Sequence, residues 1–423
     1  METIIIRTAI KSNDLEQLKQ LFKTAFHPEK VDEFAEVLYQ HLPNLKKEYW
    51  LVAEDTSKEQ IVAALALIPW EWKMENTIFK VAEMGIVATL PEYRGKGLMH
   101  KLNKAFENVM QEEGFFLSSI QGIPGFYHKL GYEYAVELEN HIYTPLDLLN
   151  NLLKESEFSF RMAEKSDIPF LMDEEQKFQQ KFELSVNKSA ELWNYQLRES
   201  LKTECASEIW MIETNNQQYY FKILLHGFGA GLILSEMSEG ISFDAMQASF
   251  SFIKSLAIKK QKPYVRLNMH RESTAAKHVL ALGANGGKSY ALQVKITEPI
   301  KLLRQLVPVL EKRIRQSEFN DFTGIFRLNL YQFSIDLNWN RGMLISIEKG
   351  NDQEQMLTFN VNPRWFPMLC LGHRNWEEIQ WMHPDVKPEF LVLNPIDNGN
   401  NAKIGKLMQV LFPKVKGWIN LQY

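Results

Sequence analysis

Residues Gly85–Met99, with the sequence GIVATLPEYRGKGLM, decide the fold of this chain. An apolar, strand-like run passes through a Pro-containing bend into a basic, glycine-rich turn. Gly95 and Gly97 allow the backbone to come close to a ligand, because glycine adopts conformations that other residues avoid. Arg94 and Lys96 add positive charge to the same turn. This composition suits a turn that binds phosphate groups.

A helix follows the turn directly. Leu98, Leu102, Phe106 and Val109 recur at spacings of four and three, which is the pattern of an amphipathic helix. A helix that begins at such a turn presents unpaired backbone N–H groups and the positive end of its dipole, and both favour a pyrophosphate. The turn is not a Walker loop and does not match G-x-G-x-x-G. An ordinary strand–loop–helix connection with a solvated basic turn is the alternative interpretation.

The composition is typical of a soluble protein with several domains. A chain of 423 residues suggests roughly two to four domains. Apolar residues make up 45% and charged residues 24%, which is enough to build several cores. The net charge of −4 argues against a nucleic-acid-binding surface spread over the whole molecule. No apolar run approaches the length of a membrane span.

The cysteines and histidines give no sign of a metal site. Cys205 and Cys370 lie in different regions and lack the spacing of a zinc site or a disulfide framework. The ten histidines show neither H-x-H nor H-E-x-x-H spacing, so we expect no metal. The N-terminus, Met-Glu-Thr before a strand-like Ile run, does not resemble a secretion signal. These features predict a reducing, cytoplasmic protein.

The first 150 residues alternate helix and strand patterns. We predict strands near residues 4–7, 50–54, 61–70, 79–88, 115–120 and 132–135, helices at 14–26 and 97–112, and a short helix near 126–130. An antiparallel run that precedes a phosphate-binding turn predicts an α+β fold built from α/β layers. Residues 1–150 therefore form the first predicted domain.

A weak internal repeat predicts a second copy of this domain over residues 151–297. The segment RTAIKSND at 7–14 returns as RMAEKSD at 161–167, each after an apolar strand and before a helix. FYHKLGY at 126–132 has an echo in KHVLALGA at 277–284. In place of the basic turn, the second copy has SEMSEG at 235–240, whose acidic residues would repel a pyrophosphate. We predict a copy that lost its cofactor site, with chance similarity as the alternative.

Residues 298–423 form the third predicted domain. The pattern predicts a helix at 300–315, a meander of strands at 324–329, 332–337, 342–348 and 356–361, and helices at 364–371 and 402–412. The chain ends GWINLQY at 417–423. An apolar, aromatic terminus left exposed forgoes burial free energy, so we expect it to dock.

The turn resembles the acetyl-CoA signature of the GCN5-related N-acetyltransferases (GNAT), R/Q-x-x-G-x-G/A, read here as RGKGLM from Arg94 to Met99. Met99 departs from the usual Gly or Ala. That departure, the FYHKLGY segment, the chain length and the aromatic end after Trp418 resemble one branch, the Eis (enhanced intracellular survival) family of aminoglycoside- and polyamine-type acetyltransferases. The resemblance covers the whole chain in organisation, although only the N-terminal motifs are specific.

The resemblance implies an architecture and a set of binding partners. It implies tandem GNAT-type domains, the second degenerate, followed by a sterol-carrier-like α+β domain. It also implies a homo-oligomer, with a hexamer as the form known in the family. The partner is a small-molecule amine, with no nucleic acid and no membrane span.

It further implies acetyl-CoA as co-substrate and a set of residues that bind it. Strand residues 86–88 would pair with the pantetheine arm, the turn would cradle the pyrophosphate, and residues 122–123 would flank the arm. These cofactor residues are Ile86, Val87, Ala88, Arg94, Gly95, Lys96, Gly97, Leu98, Met99, Gly122 and Ile123.

Two catalytic residues follow from the resemblance. Tyr127 is the candidate general acid for the CoA thiolate, because a phenol with a pKa of about 10 is protonated at neutral pH; a plain core aromatic is the alternative. Only about one-thousandth of an amine with a pKa near 10 is neutral at pH 7. Deprotonation therefore costs ~4 kcal/mol, and a base is needed to remove the proton. The C-terminal carboxylate of Tyr423 is the candidate base. Gln422 stands where the family often has an acidic residue, which leaves aminoglycoside preference open.

The sequence therefore predicts an acetyl-CoA-dependent N-acetyltransferase that acts on a primary amine of a small polycationic molecule or on a lysine. Two alternatives remain: a non-catalytic acyl-CoA-binding interaction protein, and a lipid-binding module in the C-terminal domain.

Overall fold

The computed structural model describes residues 4–138, 140–149, 157–214, 216–225, 227, 229–287, 291–351, 356–389 and 398–420, with backbone alone for 398–401. The strands form three sheets, and helices pack against them. No helix in these ranges is long and apolar enough to cross a membrane.

The elements follow one another in three stretches. The first stretch contains β1 (Ile4–Thr8), α1 (Asp14–Phe26), α2 (Val31–His41), β2 (Trp50–Asp55), β3 (Gln60–Met74), β4 (Thr77–Thr89), α3 (Leu98–Glu113), β5 (Leu117–Ile120), a 3₁₀ turn (Tyr127–Leu130), β6 (Glu133–Glu137) and β7 (Asn140–Pro145). The second contains β8 (Ser159–Met162), α4 (Ile168–Gln179), β9 (Leu184–Val186), α5 (Ala190–Arg198), β10 (Ser207–Glu213), β11 (Gln218–Leu224), β12 (Leu232–Met237), α6 (Phe243–Lys259), β13 (Tyr264–Met269), α7 (Thr274–Ala281), β14 (Asn285–Gly286) and β15 (Ala291–Ile296). The third contains α8 (Pro299–Gln305), α9 (Val307–Arg315), β16 (Gly324–Asn329), β17 (Ser334–Asn340), β18 (Met343–Lys349), β19 (Leu357–Asn360), α10 (Phe366–Cys370), α11 (Trp376–Met382), β20 (Lys387–Pro388), α12 (Asn398–Leu411) and β21 (Gly417–Trp418).

The first two sheets repeat one topology. Their strand orders are β1-β2-β3-β4-β5-β15-β6 and β8-β10-β11-β12-β13-β7-β14. In both, the first four strands are antiparallel, the fourth and fifth are parallel, and the rest are antiparallel. The repeat seen in the sequence thus has a structural counterpart.

The two halves exchange one strand each. β7 lies between β13 and β14 of the second sheet, while β15 lies between β5 and β6 of the first. The predicted boundaries near residues 150 and 297 therefore do not divide the two sheets. Alternating apolar residues indicate which face of a strand is buried, but they do not indicate which sheet receives it.

An equivalent three-residue ion-pair cluster lies at the start of each half. It consists of Arg7, Asp14 and Glu54 in the first half and of Arg161, Asp167 and Glu213 in the second. Arg7 Nη1 donates to Asp14 Oδ2 at 2.6 Å, and Arg161 Nη1 donates to Asp167 Oδ2 at 2.7 Å. Each aspartate also accepts a backbone N–H from three residues earlier.

Helices α1 and α3 flank opposite faces of the first sheet. Phe22 of α1 packs against Trp50, with ring centroids 6.1 Å apart. Tyr93, just before α3, donates its hydroxyl to Asp55 at 2.7 Å. Trp50 and Asp55 are five residues apart on β2, and side chains alternate between faces along a strand. They therefore point to opposite sides.

The third stretch differs from its prediction in its first helix and in its sheet order, and it contains α11 and β20, which we did not predict. The single helix predicted at 300–315 is two helices that meet at Leu306, because Pro308 in the first turn of α9 favours a new helix start. The sheet order is β18-β17-β16-β19-β20, with β19 parallel to β16. It is therefore not the simple meander that we predicted.

The chain end docks, as expected, as far as the structure describes it. β21 pairs in parallel with β9, which pairs with β3 of the first sheet. Trp418 is 4% exposed and packs against Phe178, Phe182 and His270. Residues 421–423 lie outside the described residues.

Candidate functional site

The first sheet opens where β4 and β5 part. These parallel strands pair at Ala82 with Ser118 and at Glu83 with Ser119. β4 then runs on to Thr89, whereas β5 ends at Ile120. The carboxyl ends of the two strands therefore border a gap in the sheet.

A β-bulge lies on β4 at this gap. Ala64 of β3 pairs with Ala88 and Ala66 pairs with Gly85, so Ile86 and Val87 stand opposite a single residue. Ile86 has a φ of +47°, a conformation that is rare for a β-branched side chain and costs about 1–3 kcal/mol. A bulge bends a strand and leaves backbone groups unpaired, and bulges are common next to active sites.

The glycine-rich turn takes the conformation that its sequence predicts. Gly95 and Gly97 have φ values of +76° and +72°, and a β-carbon at either position would meet no atom within 4 Å. α3 starts directly after Gly97 with no side-chain cap and no acidic residue in its first turn. The first N–H groups of α3 thus face open space beside a basic turn.

A cleft of about 650 Å³ joins the gap to the turn. The predicted residues that line it are Val87, Ala88, Arg94, Gly95, Gly97, Leu98, Met99, Ile123 and Tyr127. Three other predicted residues lie beside it. Ile86 lies in the bulge, Lys96 places its ammonium 4.5 Å from the ring centroid of Tyr93, and Gly122 lies under Tyr127. Tyr423 lies outside the described residues.

Sequence reasoning missed part of the lining. Ala25 and Phe26 enter from the end of α1, and Phe126, Lys129 and Leu130 come from the FYHKLGY segment. Phe126 to Leu130 lay within a motif that we singled out for Tyr127 alone. No sequence signal links the end of α1 to a turn about seventy residues later.

Tyr127 is buried at the wall of the cleft. It is 7% exposed, and burial raises its pKa to about 12. Its ring packs edge-on against Phe126 and Tyr132, with centroids 5.0 and 6.2 Å away. A β-carbon on Gly122 would overlap Cδ2 of Tyr127 and lie 3.0 Å from Oε1 of Gln293. Gln293 comes from the exchanged strand β15, and this oxygen has no hydrogen-bond partner among the described residues.

The equivalent turn in the second half is closed by the chain itself. Ser242 caps α6 by accepting the N–H of Ala245 at 3.3 Å, and Glu239 accepts the N–H of Thr274. Glu236 is buried and paired with Lys188 and Lys222 rather than exposed to a ligand. Groups of the protein itself already bind the N-terminus of α6 and pair with the carboxylates. They, rather than the repulsion that we predicted, are therefore the main obstacle to a pyrophosphate in the second half.

The C-terminal segment occupies the gap at the end of β12. Asn420 donates its side-chain N–H to Oε1 of Glu236 at 2.6 Å, next to Trp418. Burial alone would raise the pKa of Glu236, but Lys188 and Lys222 outweigh it and bring this pKa to about 2. Glu236 is therefore an ionised acceptor for the Asn420 amide.

Among the described residues, no group of three or more His, Cys, Asp or Glu side chains could hold a metal ion.

Comparison with known proteins agrees with this geometry. The family model described as Acetyltransferase (GNAT) domain matches residues 6–135. No curated protein matches the chain significantly. Domains of this family use acetyl-CoA, and the matched residues include the bulge, the turn and Tyr127.

Solved structures match along the whole chain. A GCN5-related N-acetyltransferase from Anabaena variabilis ATCC 29413 is 15% identical, with a TM-score of 0.66 and coverage of 98% of this chain and 99% of its own. A probable N-acyltransferase from Enterococcus faecalis V583 is 15% identical, with a TM-score of 0.68 over 100% of both chains. Eis1 from Mycobacterium abscessus is 10% identical, with a TM-score of 0.61 over 99% and 100%. These likenesses establish the shared fold, and the domain match shows the chain to be an acyltransferase.

Proposed function

We propose that this chain is an N-acetyltransferase that transfers the acetyl group of acetyl-CoA to a primary amine. One observation carries the proposal. A single cleft brings together the glycine-rich turn at the start of α3, the bulge of β4 and the buried Tyr127. These are a place for phosphate, a place for a thioester and a proton donor.

The residues present fit acetyl-CoA. The open space at Gly95 and Gly97, the uncapped N–H groups of α3 and the side chain of Arg94 would hold the pyrophosphate. The gap between β4 and β5 would take the pantetheine arm, with Ile86–Ala88 on one side and residues 122–123 on the other. Lys96 would add positive charge from beside Tyr93.

Acetyl-CoA would supply the acetyl group as a thioester. Backbone N–H groups of Val87 and Ala88, at the bulge, would polarise its carbonyl, since donors fixed in place stabilise charge that develops in the transition state. Tyr127 keeps its phenolic proton because burial raises its pKa to about 12, and it would donate this proton to the departing thiolate. General acids of this kind contribute typically about 10²- to 10⁴-fold to a rate.

The base is proposed to be the C-terminal carboxylate of Tyr423. Support comes from the docking of the preceding residues, since β21 and Asn420 hold the chain close to the first two sheets.

We further propose an Eis-like organisation: a degenerate GNAT-like domain built mainly from 151–297, with β7 and β15 exchanged between the two sheets, and a sterol-carrier-like domain over 298–423. The repeated sheet topology supports the former, and the five-stranded mixed sheet supports the latter. A cytoplasmic homo-oligomer completes the proposal, and light scattering, which gives the mass in solution, tests whether it is a hexamer.

Release of free thiol from acetyl-CoA in the presence of amines tests the reaction. The Tyr127→Phe variant should lose about 10²-fold or more in kcat, because it cannot donate a proton. Its Kd for CoA, measured by calorimetry, should stay within about twofold, since only a hydroxyl is removed. Full activity of the variant with a good acceptor would contradict the acid role. CoA binding by the wild type without thiol release would favour a non-catalytic CoA-binding protein.

The turn is tested by charge reversal. Arg94→Glu should raise the Kd for CoA by about tenfold or more, because it places a carboxylate beside the pyrophosphate. Lys104→Glu makes the same change in charge on an exposed face of α3, beyond its first turn, and is the matched control. Equal effects of both variants would mean that the turn does not hold the phosphate groups.

A further inference from the structure

The exchanged strand β15 brings side chains from the end of the second half to the candidate site of the first. β15 lies between β5 and β6 of the first sheet. Gln293 and Lys295 are two residues apart on it, so their side chains point to the same face of the sheet. Lys295 pairs with Glu107 of α3, which shows that this is the face that α3 covers.

The ammonium group of Lys295 contacts two elements of the site at once. Its Nζ donates to the carbonyl oxygen of Leu130 at 2.7 Å, and it also pairs with the carboxylate of Glu107. Leu130 ends the 3₁₀ turn that starts with Tyr127, whereas Glu107 lies in the third turn of α3. Lys295 therefore links the turn that carries the candidate acid to the helix that starts at the glycine-rich turn.

The packing around Lys295 restricts its side chain. Only 22% of this side chain is exposed, and a β-carbon on Gly131 would lie 3.3 Å from its Cε and 3.5 Å from its Nζ. The chain leaves the 3₁₀ turn at Gly131 with a φ of +88°, which glycine adopts without strain. An ammonium group has three donors, so it can bind both acceptors, and hydrogen bonds from a charged donor are stronger than neutral ones.

The two linked elements would bind opposite ends of one molecule. In the proposed function the start of α3 holds the pyrophosphate, and Tyr127 gives its proton to the sulfur. Because the pantetheine arm joins these ends through a fixed number of bonds, the phenol meets the sulfur only if the turn and the helix keep their separation. A misplacement of about 1 Å can lower a rate by about 10²-fold.

We propose that Lys295 is a positioning residue for acetyl transfer, which holds the turn Tyr127–Leu130 at a fixed separation from α3. The proposal rests on the proposed function and adds to it a residue that the second half supplies. The same strand also supports the candidate acid from below, because Oε1 of Gln293 lies beside Gly122, on whose backbone the ring of Tyr127 rests.

Lys295→Met tests the link, because it removes the ammonium group and keeps an apolar stem of similar length. We expect kcat for thiol release to fall by about tenfold or more, because the proton donor is no longer held in place. The Kd for CoA, measured by calorimetry, should stay within about twofold, since the glycine-rich turn is unchanged. Lys295→Arg still offers donors to both acceptors and should restore kcat to within about threefold of the wild type.

Lys46→Met is the matched control. It breaks a pair with Glu113, at the C-terminal end of the same helix, and should leave both kcat and Kd unchanged. A wild-type kcat in Lys295→Met, or an equal loss of kcat in Lys46→Met, overturns the proposal.

A double-mutant cycle separates positioning from general damage to the structure. If Lys295 acts through Tyr127, the Lys295→Met substitution should lower kcat by less than about twofold in the Tyr127→Phe background, because the proton donor is already absent there. A loss of kcat by the same factor in both backgrounds overturns the proposal.

Failure of the transfer reaction is distinguishable from failure of this inference. If the wild type releases no thiol with any amine, the proposed function is wrong. Hydrogen exchange of the amides of residues 127–132, measured by mass spectrometry on the full chain, then tests the link by itself. Faster exchange in Lys295→Met but not in Lys46→Met supports the hold on the turn, and unchanged exchange in Lys295→Met overturns it.

Discussion

At the residue scale, the position of the candidate acid depends on a residue that has no side chain. The ring of Tyr127 lies directly on the backbone of Gly122, so that a β-carbon would overlap Cδ2 and lie 2.5 Å from Cε2. Gly122 is needed here for close approach and not for an unusual φ. The candidate acid can therefore be displaced without any change to its own chemistry.

Gly122→Ala should displace Tyr127 and reduce turnover about tenfold or more, because a proton donor loses its effect when it leaves hydrogen-bond reach. Overpacking at this position should also cost about 1–3 kcal/mol of unfolding free energy, measured in urea. Gly240→Ala is the control, since its β-carbon would meet nothing within 4 Å. Wild-type turnover in Gly122→Ala would show that the ring need not lie where it does.

At the element scale, the two halves share the three-residue ion-pair cluster, which connects the first helix of each half to its sheet. Asp14 is fully buried, and its carboxylate accepts from both Arg7 and the N–H of Lys11. Burial alone would raise the pKa of Asp14, but the hydrogen bonds and charge of Arg7 outweigh it and lower this pKa below its usual value. The sequence repeat at 7–14 and 161–167 is the trace of this cluster.

Asp14→Asn should lower the unfolding free energy by about 3 kcal/mol, since a partly buried arginine loses one of its carboxylates. The pH dependence has a definite sign. A carboxyl whose pKa is depressed in the folded state stabilises above its unfolded pKa near 4, and this contribution is lost as pH falls through the folded pKa. The variant should therefore lose less stability than the wild type between about pH 5 and pH 2.

Asp173→Asn is the control, because its pair with Lys177 is exposed, and exposed pairs contribute about 0–1 kcal/mol. Parallel acid titrations of all three proteins, followed by denaturant unfolding at each pH, supply the comparison. If Asp14→Asn and the wild type lose stability in parallel, the cluster does not couple stability to pH.

Local patterns predicted individual elements well and their assembly poorly. α1 has its predicted bounds, because one amphipathic helix carries its whole signal in its own spacing. The exchange of β7 and β15 leaves no such signal, since both are short alternating strands that fit either sheet. Phe26 was missed for a related reason: its neighbours across the cleft are distant in sequence.

At the scale of the whole molecule, the C-terminal segment links parts of the chain that the sequence keeps far apart. β21 extends the first sheet through β9, and Asn420 reaches Glu236 in the second half. The gap that corresponds to the β4–β5 gap of the first half is thus filled by Trp418 and Asn420. The second copy keeps the fold and uses it to hold this segment.

Removal of the hydrogen bond between Asn420 and Glu236 tests whether the C-terminal residues take part in the reaction. Asn420→Ala loses a hydrogen bond to an ionised carboxylate, so amides of residues 417–420 should exchange with solvent faster, as measured by mass spectrometry. If the carboxylate of Tyr423 is the base, kcat should fall with little change in the Kd for CoA, and residues appended after Tyr423 should have the same effect. Lys414→Ala, which breaks an exposed pair with Glu378 in the same segment, is the control. Faster exchange with unchanged kcat would mean that the Asn420 hydrogen bond has only a structural role. It would also rule out the terminal carboxylate as the base, because kcat should fall when the segment that holds the base is loosened.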